Sequence, residues 1–239
     1  MPIFAFTQVK GGVGTTSLAA NVTNLWPENG RIMVELGITG GSILRTMGYD
    51  PALCASRPAN PILDGLDLGH EGQVPPSLQE VPQDSWELPM LAAPAIPDFP
   101  HPGEPMWWQE RVDLMIGTNL DVIADLGTVA PEHLAIHNRV LNASAAVIAV
   151  ARNQAEALAA VGRLAQYRDR LAVVMMSELY SLPDEVGGAI GCPCAGVLPW
   201  DPAIPASMWR GMLATSTRVK PARRYFEAAR NLATYLRGE

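Results

Sequence analysis

Gly11, Gly12 and Gly14 crowd into four positions between an apolar run and a helical one. Ile3-Phe4-Ala5-Phe6 has the pattern of a buried strand. From Thr15 to Trp26, the residues Leu18, Ala19, Val22 and Leu25 recur at helical spacing. Glycine lets a backbone curl until successive N–H groups point into one concavity, which suits an anion. A helix starting there adds partial positive charge at the same place. Strand, glycine loop and helix in this order are the context of a phosphate-binding loop. A glycine turn that holds nothing is the alternative reading of the same residues.

The loop reads Lys10-Gly11-Gly12-Val13-Gly14-Thr15-Thr16. It departs twice from G-x-x-x-x-G-K-[ST], with Val9 at the first glycine and Thr15 at the lysine. It resembles the deviant loop K-G-G-x-G-K-[ST] of the ParA/MinD family of cytoskeletal-like ATPases, matching at six of seven positions. The resemblance implies a P-loop α/β fold of three layers with a mostly parallel central sheet. It implies ATP or ADP with Mg²⁺, held by Gly11, Gly12, Val13, Gly14, Thr15, Thr16 and Ser17 and weakened by Thr15. It gives Lys10 the role of the lysine that crosses a dimer interface to the partner's nucleotide. It gives Thr16 a place on the magnesium, a hard cation that a hydroxyl oxygen suits. Lys10 and Lys220 are the only lysines in the chain, so a lysine kept in this loop is suggestive.

Three downstream segments extend the resemblance. Arg31-Ile32-Met33-Val34 leads into Glu35-Leu36-Gly37 where the family has V-D-x-D. Glu35 keeps the first carboxylate, either as a functional group or as a strand end. Gly37 replaces the second, and glycine cannot polarise water. Leu120 to Ala124 is an apolar strand ending in Asp125-Leu126-Gly127. It resembles a Walker B segment, which makes Asp125 the magnesium-side carboxylate. Gly196-Val197-Leu198-Pro199-Trp200-Asp201 is similar to the family's G-V-[IL]-P-x-D stretch. Strands are expected at 145–150 and 171–176, with a helix near 154–166 between them. The family ends the second of these strands with an adenine-contacting Asn, and Met176 or Ser177 stands there instead. Within the family, Gly40–Leu44 and the following Gly48-Tyr49-Asp50-Pro51 look most like the pilus-localising CpaE/TadZ branch.

Composition fits a single cytoplasmic globular domain over 1–239, at 48% hydrophobic and 17% charged residues. No apolar run reaches the roughly 18 residues a membrane span needs, and the start lacks the basic and cleavage features of a signal peptide. Cys192-Pro193-Cys194 reads as packing rather than redox or metal chemistry, and the four histidines show no ligand pattern. Residues 51–105 carry 12 of the 21 prolines, which forbids long helices and central strands there. An irregular insertion is expected. Trp86, Trp107 and Trp108 in or beside it suit either a partner surface or the core.

Charge is uneven. Residues 207–239 hold seven basic and two acidic side chains, while the whole chain carries −7. Such a basic end could meet nonspecific DNA or an anionic membrane surface. Phe226, Ala229, Leu232, Ala233 and Leu236 make a helical stripe there, suited to packing on the sheet or to a membrane surface.

Two functions fit this reading. One is a dimeric nucleotide switch that positions cargo such as a plasmid, a chromosome locus or pilus machinery through a protein partner or adaptor, with slow or absent hydrolysis. The other is a pseudo-ATPase scaffold that binds no nucleotide.

Overall fold

Alternation sets the first strand. Phe4 and Phe6 turn to one side, Ile3 and Ala5 to the other, and all four are buried. A strand apolar on both faces needs cover on both, which helices flanking a parallel sheet supply. The computed structural model describes residues 2–27, 30–37, 90–91, 112–113, 115–131, 134–177, 183–200, 204 and 220–238.

In chain order these form β1 (Ile3–Gln8), α1 (Thr15–Asn24), β2 (Arg31–Glu35), β3 (Met90–Leu91), β4 (Asp121–Thr128), α2 (Leu134–Ala143) and β5 (Ala146–Arg152). Then come α3 (Ala155–Val161), 3-10 turns over Gly162–Arg170, β6 (Leu171–Ser177), α4 (Pro183–Ile190), β7 (Cys194–Pro199) and α5 (Lys220–Arg237). The helix expected near 154–166 therefore stops at Val161 and tightens into 3-10 geometry, with a non-helical break at Tyr167. Tyr167 is buried against the sheet, and that packing overrides regular helix.

The strands lie in the order β3-β2-β4-β1-β5-β6-β7, and every pair is parallel. One face buries Phe4, Phe6, Met33, Ile148 and Val174 under α1 and α5. The other buries Ile3, Val34, Val122, Ala149 and Val173 with residues of α2 and α3. The result is the expected three-layer α/β arrangement. Met90–Leu91 adds a two-residue edge strand from within the proline-rich 51–105 stretch. The rest of that stretch, with Trp86, Trp107, Trp108, Gly40–Leu44 and Gly48–Pro51, lies outside the described residues.

The C-terminal stripe is part of the core. Tyr225, Phe226, Ala229, Leu232 and Ala233 are buried with α1 and the sheet, while Arg223, Arg224 and Arg230 stay exposed. Most of the stripe is thus taken up by the fold, with Leu236 partly buried against the same core. The helix end is tied down at Asp121, at the start of β4. Its Oδ2 accepts from Trp26 Nε1 at 2.9 Å and from Arg237 Nη1 at 2.8 Å. Trp26 also meets Phe4 ring to ring, with centroids 5.0 Å apart. Among the described residues no helix is long and apolar enough to cross a membrane.

Because all the strands run one way, their C-terminal ends share one edge of the sheet. Gln8, Glu35, Thr128, Arg152, Ser177 and Pro199 therefore emerge together. Ligands of open α/β sheets bind outside this edge, where the strand order reverses. Here the order reverses around β1, because β4 and β5 lie on either side of it.

Candidate functional site

The glycine loop leaves the edge at Gln8 and ends at the first turn of α1. Gly12 (φ 77°) and Gly14 (φ 89°) both take the left-handed conformation that L side chains avoid. Gly14 is the N-cap of α1, and its carbonyl accepts from Leu18 N at 2.9 Å. Side chains pin the loop from below. Val13 is buried in the core beneath α1, so its contribution to a bound phosphate is limited to backbone. Ser17 is also buried, one turn into the helix.

Thr15, at the lysine position, turns inward. It is 2% exposed, and its Oγ1 donates to Gln8 Oε1 at 2.7 Å. Gln8 Nε2 in turn donates to Thr128 Oγ1 at 2.9 Å. This relay joins α1, β1 and β4 beneath the loop, and the Thr15 hydroxyl is committed to it. Only its backbone N–H can serve an anion in the cradle.

Thr16 and Asp125 come together. The Thr16 hydroxyl is placed to hydrogen-bond the Asp125 carboxylate and favours its charged form, and Asp125 Oδ1 accepts the Gly127 N–H at 3.0 Å. Asp125 is 1% exposed. Burial pushes its carboxyl above the usual carboxylate range, and the Thr16 and Gly127 hydrogen bonds offset part of that rise. Glu35 lies beside it in register on β2, also buried, and both residues belong to the α1 face of their strands. Two carboxylates and a hydroxyl thus converge at the mouth of the loop. These are hard oxygen donors of the kind Mg²⁺ takes. Among the described residues there is no group of three or more His, Cys, Asp or Glu side chains placed to hold a metal, so a magnesium ion here would need oxygens from Thr16 and from a ligand.

Gly37 sits where a second acidic residue was expected. A Cβ on Gly127 would lie 3.6 Å from the Gly37 Cα, so the two glycine backbones run close together. Lys10 points outward. Its Nζ is 3.3 Å from Glu156 Oε2 at the start of α3, and both side chains are more than half exposed. Such a pair contributes little to stability and is easily exchanged for another partner.

Beside Gln8 and Thr128, two more residues at the site had no role expected from the sequence. Arg152, the last residue of β5, donates from Nη2 to the Gly12 carbonyl at 3.2 Å. Its guanidinium lies over the Trp200 ring, 4.1 Å from the centroid. A Cβ on Gly14 would meet the Trp200 ring at 3.6 Å and the Met176 methyl at 3.8 Å. Met176, at the expected adenine-contacting position, is thus core packing under the loop, and Ser177 O accepts the Trp200 N–H at 2.9 Å. The available signal for Arg152 was a lone charge ending an apolar strand at the edge where the loop emerges. The Cys192 and Cys194 thiols are free, and burial pushes both upward, as packing residues should be.

No protein-family model and no curated protein matches the sequence. Solved structures do match over nearly the whole chain. A ParA family ATPase from Chlorobium tepidum superposes with a TM-score of 0.63 at 18% identity, covering 95% of this chain and 98% of its own. MinD from Pyrococcus horikoshii, complexed with Mg-ADP, gives 0.64 at 19%, covering 98% and 95%. A MinC:MinD cell division complex from Aquifex aeolicus gives 0.65 at 16%, covering 100% and 97%. At these identities the likeness shows a shared fold, the P-loop α/β fold of the ParA and MinD ATPases.

Proposed function

We propose that this chain is a degenerate ParA/MinD-like switch, a nucleotide-dependent homodimer that positions a cargo and turns ATP over slowly or not at all. The observation that carries the reading is the approach of Thr16 to Asp125 at the mouth of a left-handed glycine loop. It supports the reading because it brings together oxygen donors of the kind a magnesium–phosphate site uses, in a chain whose loop lysine is absent. The fit is good for phosphate backbone contacts from Gly11 to Thr16 and for magnesium at Thr16, with Asp125 behind it. Bound magnesium would neutralise phosphate charge, while this chain's own residues orient the phosphates and exclude water from beneath them.

The fit is poor for hydrolysis. Gly37 offers no group to orient an attacking water, and the Thr15 hydroxyl is held by Gln8. Lys10 stands exposed at the loop, as a residue reaching into a second copy must. The exposed arginines of α5 leave DNA or an anionic surface open as a platform beside a protein adaptor. The MinC:MinD complex is the precedent among the structural neighbours for a protein partner.

The second reading, a scaffold without nucleotide, is favoured by the inward turn of Thr15 alone. Calorimetric titration with ATP and ADP, with and without Mg²⁺, separates the two. Saturable, Mg²⁺-dependent binding supports the switch, and heat-free injections of both nucleotides leave only the scaffold.

A further inference from the structure

We propose that Arg152 supplies the in-chain cation that the glycine loop lost at Thr15, so that a nucleotide's phosphates are met by a guanidinium from β5 instead of an ammonium from the loop. The proposal rests on the nucleotide reading above and deepens it.

The loop's positive charge is otherwise weak. Thr15 is neutral, buried and bonded to Gln8. Lys10 faces away, toward Glu156. A phosphate in the cradle would then have only backbone N–H groups and the partial charge of α1 from its own chain. Arg152 already touches the loop, through Nη2 to the Gly12 carbonyl at 3.2 Å. A guanidinium has five N–H donors, and one of them is used there. Its Nε is buried and makes no hydrogen bond to the described residues.

The Arg152 Cζ lies over the Trp200 ring, 4.1 Å from its centroid, and that ring sits against Gly14. The stack limits the rotamer freedom of a long side chain, so less is lost when an anion binds. The strand also contributes. Arg152 closes β5, which pairs with β1 up to Gln8, so the backbones of the cation and of the loop spring from neighbouring strands. A cation set on a strand end and clamped by an indole is well suited to bidentate phosphate contact.

A purely structural Arg152, bracing the loop through Gly12, would affect every ligand alike. A phosphate cation affects ligands in proportion to their phosphates. The test is therefore a calorimetric series with AMP, ADP and ATP in Mg²⁺ on wild type, Arg152→Gln, Arg152→Lys and the double variant Arg152→Gln/Thr15→Lys. Arg152→Gln should lose about tenfold or more in ATP affinity, the worth of a charge-assisted contact, with a smaller loss for ADP and least for AMP. Arg152→Lys should keep most of the preference for ATP over AMP, and the double variant should regain what Arg152→Gln lost.

Equal losses for all three nucleotides, or an unchanged ATP affinity in Arg152→Gln, would overturn this proposal while leaving the nucleotide reading intact. Should Arg152→Gln not fold, Arg152→Lys decides alone, because a preference reduced to parity would overturn the charge role. Wild type that binds none of the three would overturn both.

Discussion

Asp125→Asn should make the ligand-free protein more stable at neutral pH, even though it damages the site. Asp125 is 1% exposed and its carboxyl is pushed above the usual range, chiefly by burial. The sign follows from linkage. A carboxyl whose folded-state pKa is raised favours folding when protonated, so its contribution is fullest below the unfolded pKa and is lost as pH rises through the folded one. At neutral pH the buried charge is a net cost. Desolvation of a buried ion amounts to several kcal/mol, and hydrogen bonds to a charged group return about 1.5–3 kcal/mol each. The hydrogen bonds from Thr16 and Gly127 offset only part of that penalty, since the carboxyl stays above its usual range, so a net cost remains. Asparagine keeps the shape and an oxygen for Gly127 N–H. For a chain of this size each kcal/mol regained raises Tm by about 2–4 °C. Differential scanning calorimetry of wild type and Asp125→Asn from pH 4 to 8 should show the gain at pH 7–8 and its disappearance toward pH 4. Mg-ADP should raise the wild-type Tm and move that of the variant little. A variant less stable than wild type at pH 7–8, or a difference that ignores pH, would refute the reasoning.

Other substitutions separate structure from site. Asp121→Ala strands Trp26 and Arg237 at the end of α5 and should cost about 3–5 kcal/mol in a urea melt. Lys10→Ala, breaking a pair in which both partners are largely exposed, should change stability by less than about 1 kcal/mol yet leave the protein monomeric in Mg-ATP when followed by analytical ultracentrifugation, where wild type should dimerise. Because Arg152 already supplies a cation, Thr15→Lys in the wild-type background should tighten ATP by less than a full charged contact, about 1.5–3 kcal/mol, in a calorimetric titration, while lowering Tm, since it removes the buried bond to Gln8. A gain of the full amount would count against the role of Arg152.

Much of the architecture was legible because it is local. A strand, three glycines and an amphipathic helix are neighbours in sequence, and the stripe of α5 declares its buried face at helical spacing. The family resemblance assigns both Thr16 and Asp125 to the magnesium side of the site, and the fold places the two near each other. What was not legible depends on contacts across the chain. Gln8 meets Thr128 from 120 residues away, and Arg152 meets Gly12 from 140. Neither pairing follows until the strand order places β4 and β5 on either side of β1. Thr15 looked like a plain loss of charge. Only the packing shows its hydroxyl inside the relay to Gln8 and Thr128. The two-residue strand Met90–Leu91 was hidden by the surrounding prolines, which an edge position tolerates.

The most direct test of the switch is the mass of the protein by multi-angle light scattering, followed for an hour in Mg-ATP, in Mg-ADP and without nucleotide. A dimer that forms in Mg-ATP and persists, with monomer in the other two, is the predicted result. A monomer under all three conditions, or a dimer in Mg-ATP that decays within minutes as phosphate is released, would contradict it.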